Sequence, residues 1–211
     1  SSVLLKNEGS ALPLAPGVRV ALIGPLVEDQ ANLLGTWAVS GDPAQATTVL
    51  DALKAAHDGP VVHARGANFV DDPDIAARLD VFGPTVLTDP RAEADLIAEA
   101  LARAAEADVV VAVVGEAKEH SGESSSRTEL TLPSPQLRLI EALAGVDKPL
   151  VVVVMGGRPL ALEREAELAD ALLLAWYGGT EAGPGLADML TGRAEPGGRL
   201  AASLPARSGQ T

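Results

Sequence analysis

Apolar residues along this chain fall into short unbroken runs, separated by longer stretches with helical spacing. Residues 18–24 (VRVALIG), 60–66 (PVVHARG), 108–115 (DVVVAVVG), 148–156 (KPLVVVVMG) and 170–176 (DALLLAW) each have the length of a buried strand. The β-branched run before Gly115 shows no polar alternation, which is the pattern of a strand covered on both faces in a parallel sheet. Residues 47–56, 91–107, 133–144, 160–168 and 180–190 predict helices. Val49, Leu50 and Leu53 share a face of the first, and Leu96, Ile97 and Leu101 form a stripe on the second. Pro133 suits a helix start, whereas Gly183-Pro184-Gly185 is expected to interrupt the last helix. Residues 1–7 read as the tail of a helix, and residues 198–205 (GRLAASLP) as an edge strand. Residues 66–90, rich in Asp, Pro and Gly, have room for a short helix at most. The alternation predicts an α/β fold over residues 1–211, one domain in three layers, with a mostly parallel sheet of about six strands flanked by helices.

Composition narrows the function. Hydrophobic residues make up 47% of the 211, which argues against disorder. Two Trp, two Phe and one Tyr are too few to build a core, so each Trp stands out. The formal net charge of -13 repels nucleic acid and anionic membranes. Its acidic residues are dispersed, as on a solvated surface. No apolar run reaches the ~18 residues of a membrane span. The absence of Cys excludes disulfides, thiolate metal sites and cysteine nucleophiles. His57, His63 and His120 lack metal-ligand spacing, so neither a metal nor a cofactor is expected. His57 ends a helix and His63 sits in a strand, and both read as structural.

In parallel α/β sheets, ligands sit outside the carboxyl ends of the strands. That directs attention to the segments after Gly24, Gly115, Gly156 and Trp176. The longest polar one is 116–131 (EAKEHSGESSSRTELT), with Glu116, Glu119, His120, Glu123 and Arg127. A catalytic loop and a solvated surface loop both fit it at this point. Trp37, in LGTWAVSGD, is placed either to stack on the apolar face of a sugar or to make a packing contact. Trp176 reads as core or as a plug at a strand end. Other chemistries lack their motifs: there is no G-x-G-x-x-G, no G-x-x-x-x-G-K-[ST] and no G-x-S-x-G.

Taken in order, SSVLLKNEGSALPL, VALIGPLVEDQANLLGTWAVSG, DVVVAVVGEAKEHSGESSSRTELTLP, KPLVVVVMGGRPLAL and the stretch ending PGGRLAASLP resemble the second domain of family 3 glycoside hydrolases. Each motif is weak alone; the ordered set covers the chain, and it is most similar to the bacterial periplasmic β-glucosidase branch. The resemblance implies an (α/β)6-sandwich domain of a retaining enzyme that removes β-linked sugars from the non-reducing end. It implies an Asp nucleophile in a separate N-terminal barrel, absent from this chain, and a general acid/base Glu on the second domain. By motif that Glu is Glu123, before Ser124-Ser125-Ser126-Arg127, with Glu116 and Glu119 as rivals. Trp37, His120 and Arg127 are then candidate substrate-binding residues. The implied partners are a β-linked glycoside and the barrel, with no nucleic acid and no membrane, in a periplasmic or secreted setting. Two other readings stay open: a non-catalytic carbohydrate-binding or scaffold domain, and an unrelated Rossmann-like binding domain.

Overall fold

The computed structural model describes residues 1–79, 86–123 and 125–210. Its strands are β1 (Val3–Asn7), β2 (Val20–Ile23), β3 (Val61–Ala64), β4 (Val109–Gly115), β5 (Leu150–Met155) and β6 (Ala171–Leu174). Its α-helices are α1 (Val49–Ala56), α2 (Pro73–Leu79), α3 (Glu93–Ala105), α4 (Ser134–Ala144), α5 (Glu163–Leu168) and α6 (Ala182–Leu190). The strands form one sheet in the order β1-β6-β5-β4-β2-β3, parallel throughout except for β1, which runs antiparallel to β6.

Every residue of β2, β4, β5 and β6 is buried, as the uninterrupted apolar runs predict. Alternate side chains along these strands supply two separate cores. Val20, Leu22, Val111, Val113, Val151 and Val153 pack under α1 and α6. Ala21, Ile23, Val110, Ala112, Val152 and Val154 pack under α3 and α4 on the opposite face. The result is the three-layer α/β domain expected from the sequence.

Three local expectations need correction. Residues 1–7 are not a helix tail: Leu4 packs into one core and Leu5 into the other, the period of two that defines a strand. Residues 198–205 form no strand. β1 forms the edge beside β6, and the segment meets the residue before that strand, where the Gly198 N–H donates to the Ser2 carbonyl at 2.9 Å. Finally, Gly183-Pro184-Gly185 does not interrupt α6. These residues lie in its first turn, and Pro184 takes a position whose N–H would have no intrahelical acceptor, so proline costs little there.

Candidate active site

The 116–131 segment leaves the sheet from the carboxyl end of its central strand, β4. The exit is fixed at Gly115, whose φ is +148°. A Cβ there would stand 1.8 Å from the Met155 carbonyl oxygen, so only glycine fits. Buried Gln136 of α4 clamps the same residue, accepting from its N–H at 2.7 Å and donating to its carbonyl at 2.8 Å. Glu116 is thereby turned inward and is fully buried. Two guanidinium groups meet its carboxylate: Arg127 Nη1 at 2.5 Å and Arg158 Nε at 3.2 Å. A buried carboxylate needs such partners, because an unpaired charge out of water is costly. Arg127 Nη2 also donates to the Thr131 carbonyl at 3.1 Å. Arg158 Nη2 donates to the carbonyls of His120 and Ser125.

From Glu116 the chain passes through a 3-10 turn, Lys118–His120, that rests on the loop after β2. The Lys118 N–H donates to Asn32 Oδ1 at 2.8 Å. Asp29 holds Asn32 in turn, accepting from its backbone N–H at 2.7 Å and its Nδ2 at 2.8 Å. The Thr36 hydroxyl lies 2.5 Å from the Lys118 carbonyl oxygen and 3.0 Å from that of Ser121. The Tyr177 hydroxyl, beyond β6, donates to the Ala117 carbonyl at 2.9 Å. Close approach is built in at Gly122, with φ +112°, where a Cβ would come 2.4 Å from Thr36 Cγ2. Glu123 follows at once and is exposed. Trp37 adjoins Thr36 in sequence and is 67% exposed. The indole and the loop that bears Glu123 therefore stand on the same rim of the sheet.

The remaining candidates lie deeper. His120 is 6% exposed, and its Nδ1 accepts the Ala117 N–H at 3.0 Å, which puts the ring proton of the neutral form on Nε2. Burial, and then the Arg127 charge, push its pKa down to about 4. Burial likewise raises the pKa of Asp29 and of the Tyr177 phenol. The Glu119 side chain is mostly buried, with one oxygen 3.7 Å from Lys118 Nζ. Trp176 plugs the end of β6 at φ +58°, half-buried against the α4-side core. His57 caps α1 with its Nε2 2.7 Å from the Val18 oxygen, and His63 in β3 reaches Glu28 at 3.5 Å. Ser124 lies outside the described residues. Arg158, Gln136, Asn32 and Thr36 carry no signal in the sequence beyond the GGR after β5, because each meets the loop or its root only from a remote part of the chain.

What the rim offers a ligand is the exposed Glu123 carboxylate, the exposed Trp37 indole, and a rigid arginine–glutamate base beneath the carboxylate's loop. Among the described residues, no group of three or more His, Cys, Asp or Glu side chains is placed to hold a metal ion. No helix among them is long and apolar enough to cross a membrane.

The family model described as the glycosyl hydrolase family 3 C-terminal domain matches residues 2–211. The chain is 44% identical over its whole length to a periplasmic β-glucosidase of Salmonella typhimurium. It is 32% identical, again over its whole length, to a β-xylosidase of Formosa agariphila. It spans only 28% and 27% of those two proteins. The β-glucosidase of Listeria innocua in complex with isofagomine superposes with a TM-score of 0.85 at 32% identity, covering 99% of this chain and 26% of that one. The chain belongs to glycoside hydrolase family 3, as its C-terminal α/β domain.

Proposed function

We propose that this domain supplies the general acid/base of a retaining β-glycosidase, that the residue is Glu123, and that the nucleophile comes from a separate barrel domain. The observation that carries the reading is the contrast among the loop's carboxylates. Glu116 is fully buried and bound by two arginines, Glu119 is mostly buried beside Lys118, and Glu123 is exposed on the outward arc. A group that exchanges protons with substrate and water must be reachable, and Glu123 is; Glu129 is exposed too, but it lies after Arg127, on the limb that returns to the sheet. In the first step a carboxylate of the barrel attacks the anomeric carbon. The glycosidic C–O bond breaks, and Glu123 gives its proton to the leaving oxygen. In the second step Glu123 takes a proton from water as the water oxygen displaces the nucleophile. Trp37 offers its indole face to the sugar or the leaving group. His120, whose buried ring accepts the Ala117 N–H at Nδ1, and Arg127, whose guanidinium meets Glu116 and Thr131, are assigned to holding the loop rather than to touching sugar. The similarity to a protein named as periplasmic supports a periplasmic setting.

The test is Glu123→Ala in the full-length protein. Substrates with poor leaving groups should lose about 10²–10⁴-fold in rate. Substrates with good leaving groups should still glycosylate the enzyme and then stall. Azide should restore their turnover, because a small anion needs no general base. If Glu123→Ala leaves the leaving-group dependence untouched while Glu119→Ala steepens it, the assignment moves to Glu119.

A further inference from the structure

We infer that Arg158 is a positioning residue for catalysis, acting through the backbone on either side of Glu123. This deepens the acid/base reading and rests on it. The first ground is where its bonds go. Arg158 follows β5, on a different strand from the loop it serves. Its Nη2 donates to the carbonyls of His120 and Ser125, which bracket Glu123 in the chain. Its Nε meets both oxygens of Glu116, at the root of the same loop, at 3.2 Å. One rigid planar group thus ties the root of the loop to both shoulders of the arc that carries the carboxylate. Lysine, with a single nitrogen, could not span three acceptors in this fork geometry.

The second ground is the way Arg158 is itself held. It follows Gly157, where a Cβ would fall 2.3 Å from Ser121 Oγ and 2.9 Å from the Tyr177 ring. The backbone before Arg158 is thus pressed against the loop, which leaves the side chain little freedom of approach. Glu116, Arg127 and Arg158 together make a buried base with two positive charges on one negative. Arg127 secures the returning limb of the loop through Thr131, and Arg158 the outgoing limb and the crest. Displacing a catalytic group by about an ångström can cost on the order of 10²-fold in rate. The clamp therefore sets the quality of proton transfer without touching substrate.

The experiment is a double-mutant cycle in the full-length protein: Arg158→Lys, Glu123→Ala and the pair, assayed with good and poor aryl leaving groups. Arg158→Lys alone should slow poor leaving groups by about 10–100-fold, change good ones little, and leave KM near its original value. In the Glu123→Ala background, Arg158→Lys should have no further effect, because the group it positions is gone. Equal losses in both backgrounds, or a loss that is the same for every leaving group, would overturn the proposal and leave Arg158 a purely structural residue. Glu116→Gln, which keeps the shape but removes the negative charge and one of the two acceptor oxygens that hold the guanidinium groups, provides a second variant should Arg158→Lys fold poorly. It should give the same leaving-group signature, and a uniform loss there would count against the clamp in the same way. Failure of the acid/base reading would be seen separately, in the Glu123→Ala single variant.

Discussion

Two buried ionisable side chains pull the domain's stability in opposite directions with pH. Glu165 in α5 is 1% exposed, and neither of its carboxylate oxygens has a hydrogen-bond partner among the described residues. Burial pushes its pKa from 4.5 up to about 7. The folded chain keeps a proton that the unfolded chain releases, so this contribution is complete below pH 4.5 and is lost as pH rises to about 7. At 1.36 kcal/mol per unit the loss is about 3 kcal/mol. His120 does the reverse. Its pKa falls from 6.5 to about 4, so its contribution is complete above pH 6.5 and is lost as pH falls to about 4. Between pH 4.5 and 6.5 the two trends offset each other. Glu165→Gln should remove the main trend opposing the histidine, leaving only that of buried Asp29, whose pKa is also raised: Tm should climb through that window, by up to about 6–12 °C for 3 kcal/mol in a domain of this size, and then level off. A thermal melt series of wild type and variant from pH 4 to 8 reads this directly. Superimposable profiles would mean that the Glu165 carboxyl is already ionised in the folded chain.

At the scale of elements, α6 offers a paired prediction from one short sequence. A Cβ on Gly183 would stand 2.4 Å from the Thr47 carbonyl oxygen and 2.7 Å from that of Thr48, at the start of α1. Gly185, one residue past Pro184 in the same turn, has nothing within 4 Å. Gly183→Ala should therefore destabilise by about 1–3 kcal/mol as α6 is pushed off α1. Gly185→Ala should be neutral or stabilise by up to about 1 kcal/mol through helix propensity. Urea midpoints at constant slope measure both. The same helix shows where sequence patterning ran out. Gly-Pro-Gly was read as a break because composition does not say which turn of a helix it falls in. β1 was misread because seven residues are too few to separate a period of two from 3.6, and its partner β6 lies at the far end of the chain. The interior strands were legible because burial on both faces leaves an unmistakable apolar run. The loop after β4 is legible as a polar insertion directly after such a run. The clamp under it was not, since Arg158 meets Glu116, His120 and Ser125 only once β5 lies beside β4.

For the whole molecule, the division of labour proposed above predicts that the 211-residue chain unfolds cooperatively yet releases no nitrophenol from aryl β-glucosides. Turnover by the purified chain that is abolished by Glu123→Gln would show that the reaction needs no second domain. The sheet order also has a consequence for how such a chain is made. β1 is the first strand in sequence, but it joins the sheet only through β6, with Val3 opposite Leu174. At the ~5–20 residues per second of translation, the ribosome takes on the order of 10–30 s to deliver that partner after β1 is synthesised. Throughout that interval the nascent chain carries VLLKN as a strand with no edge to join, while β2, β4 and β5 can already assemble. The segment that closes the sheet is the one a growing polypeptide must hold in reserve longest, and holding it clear of other nascent chains becomes a task for the cell's chaperones.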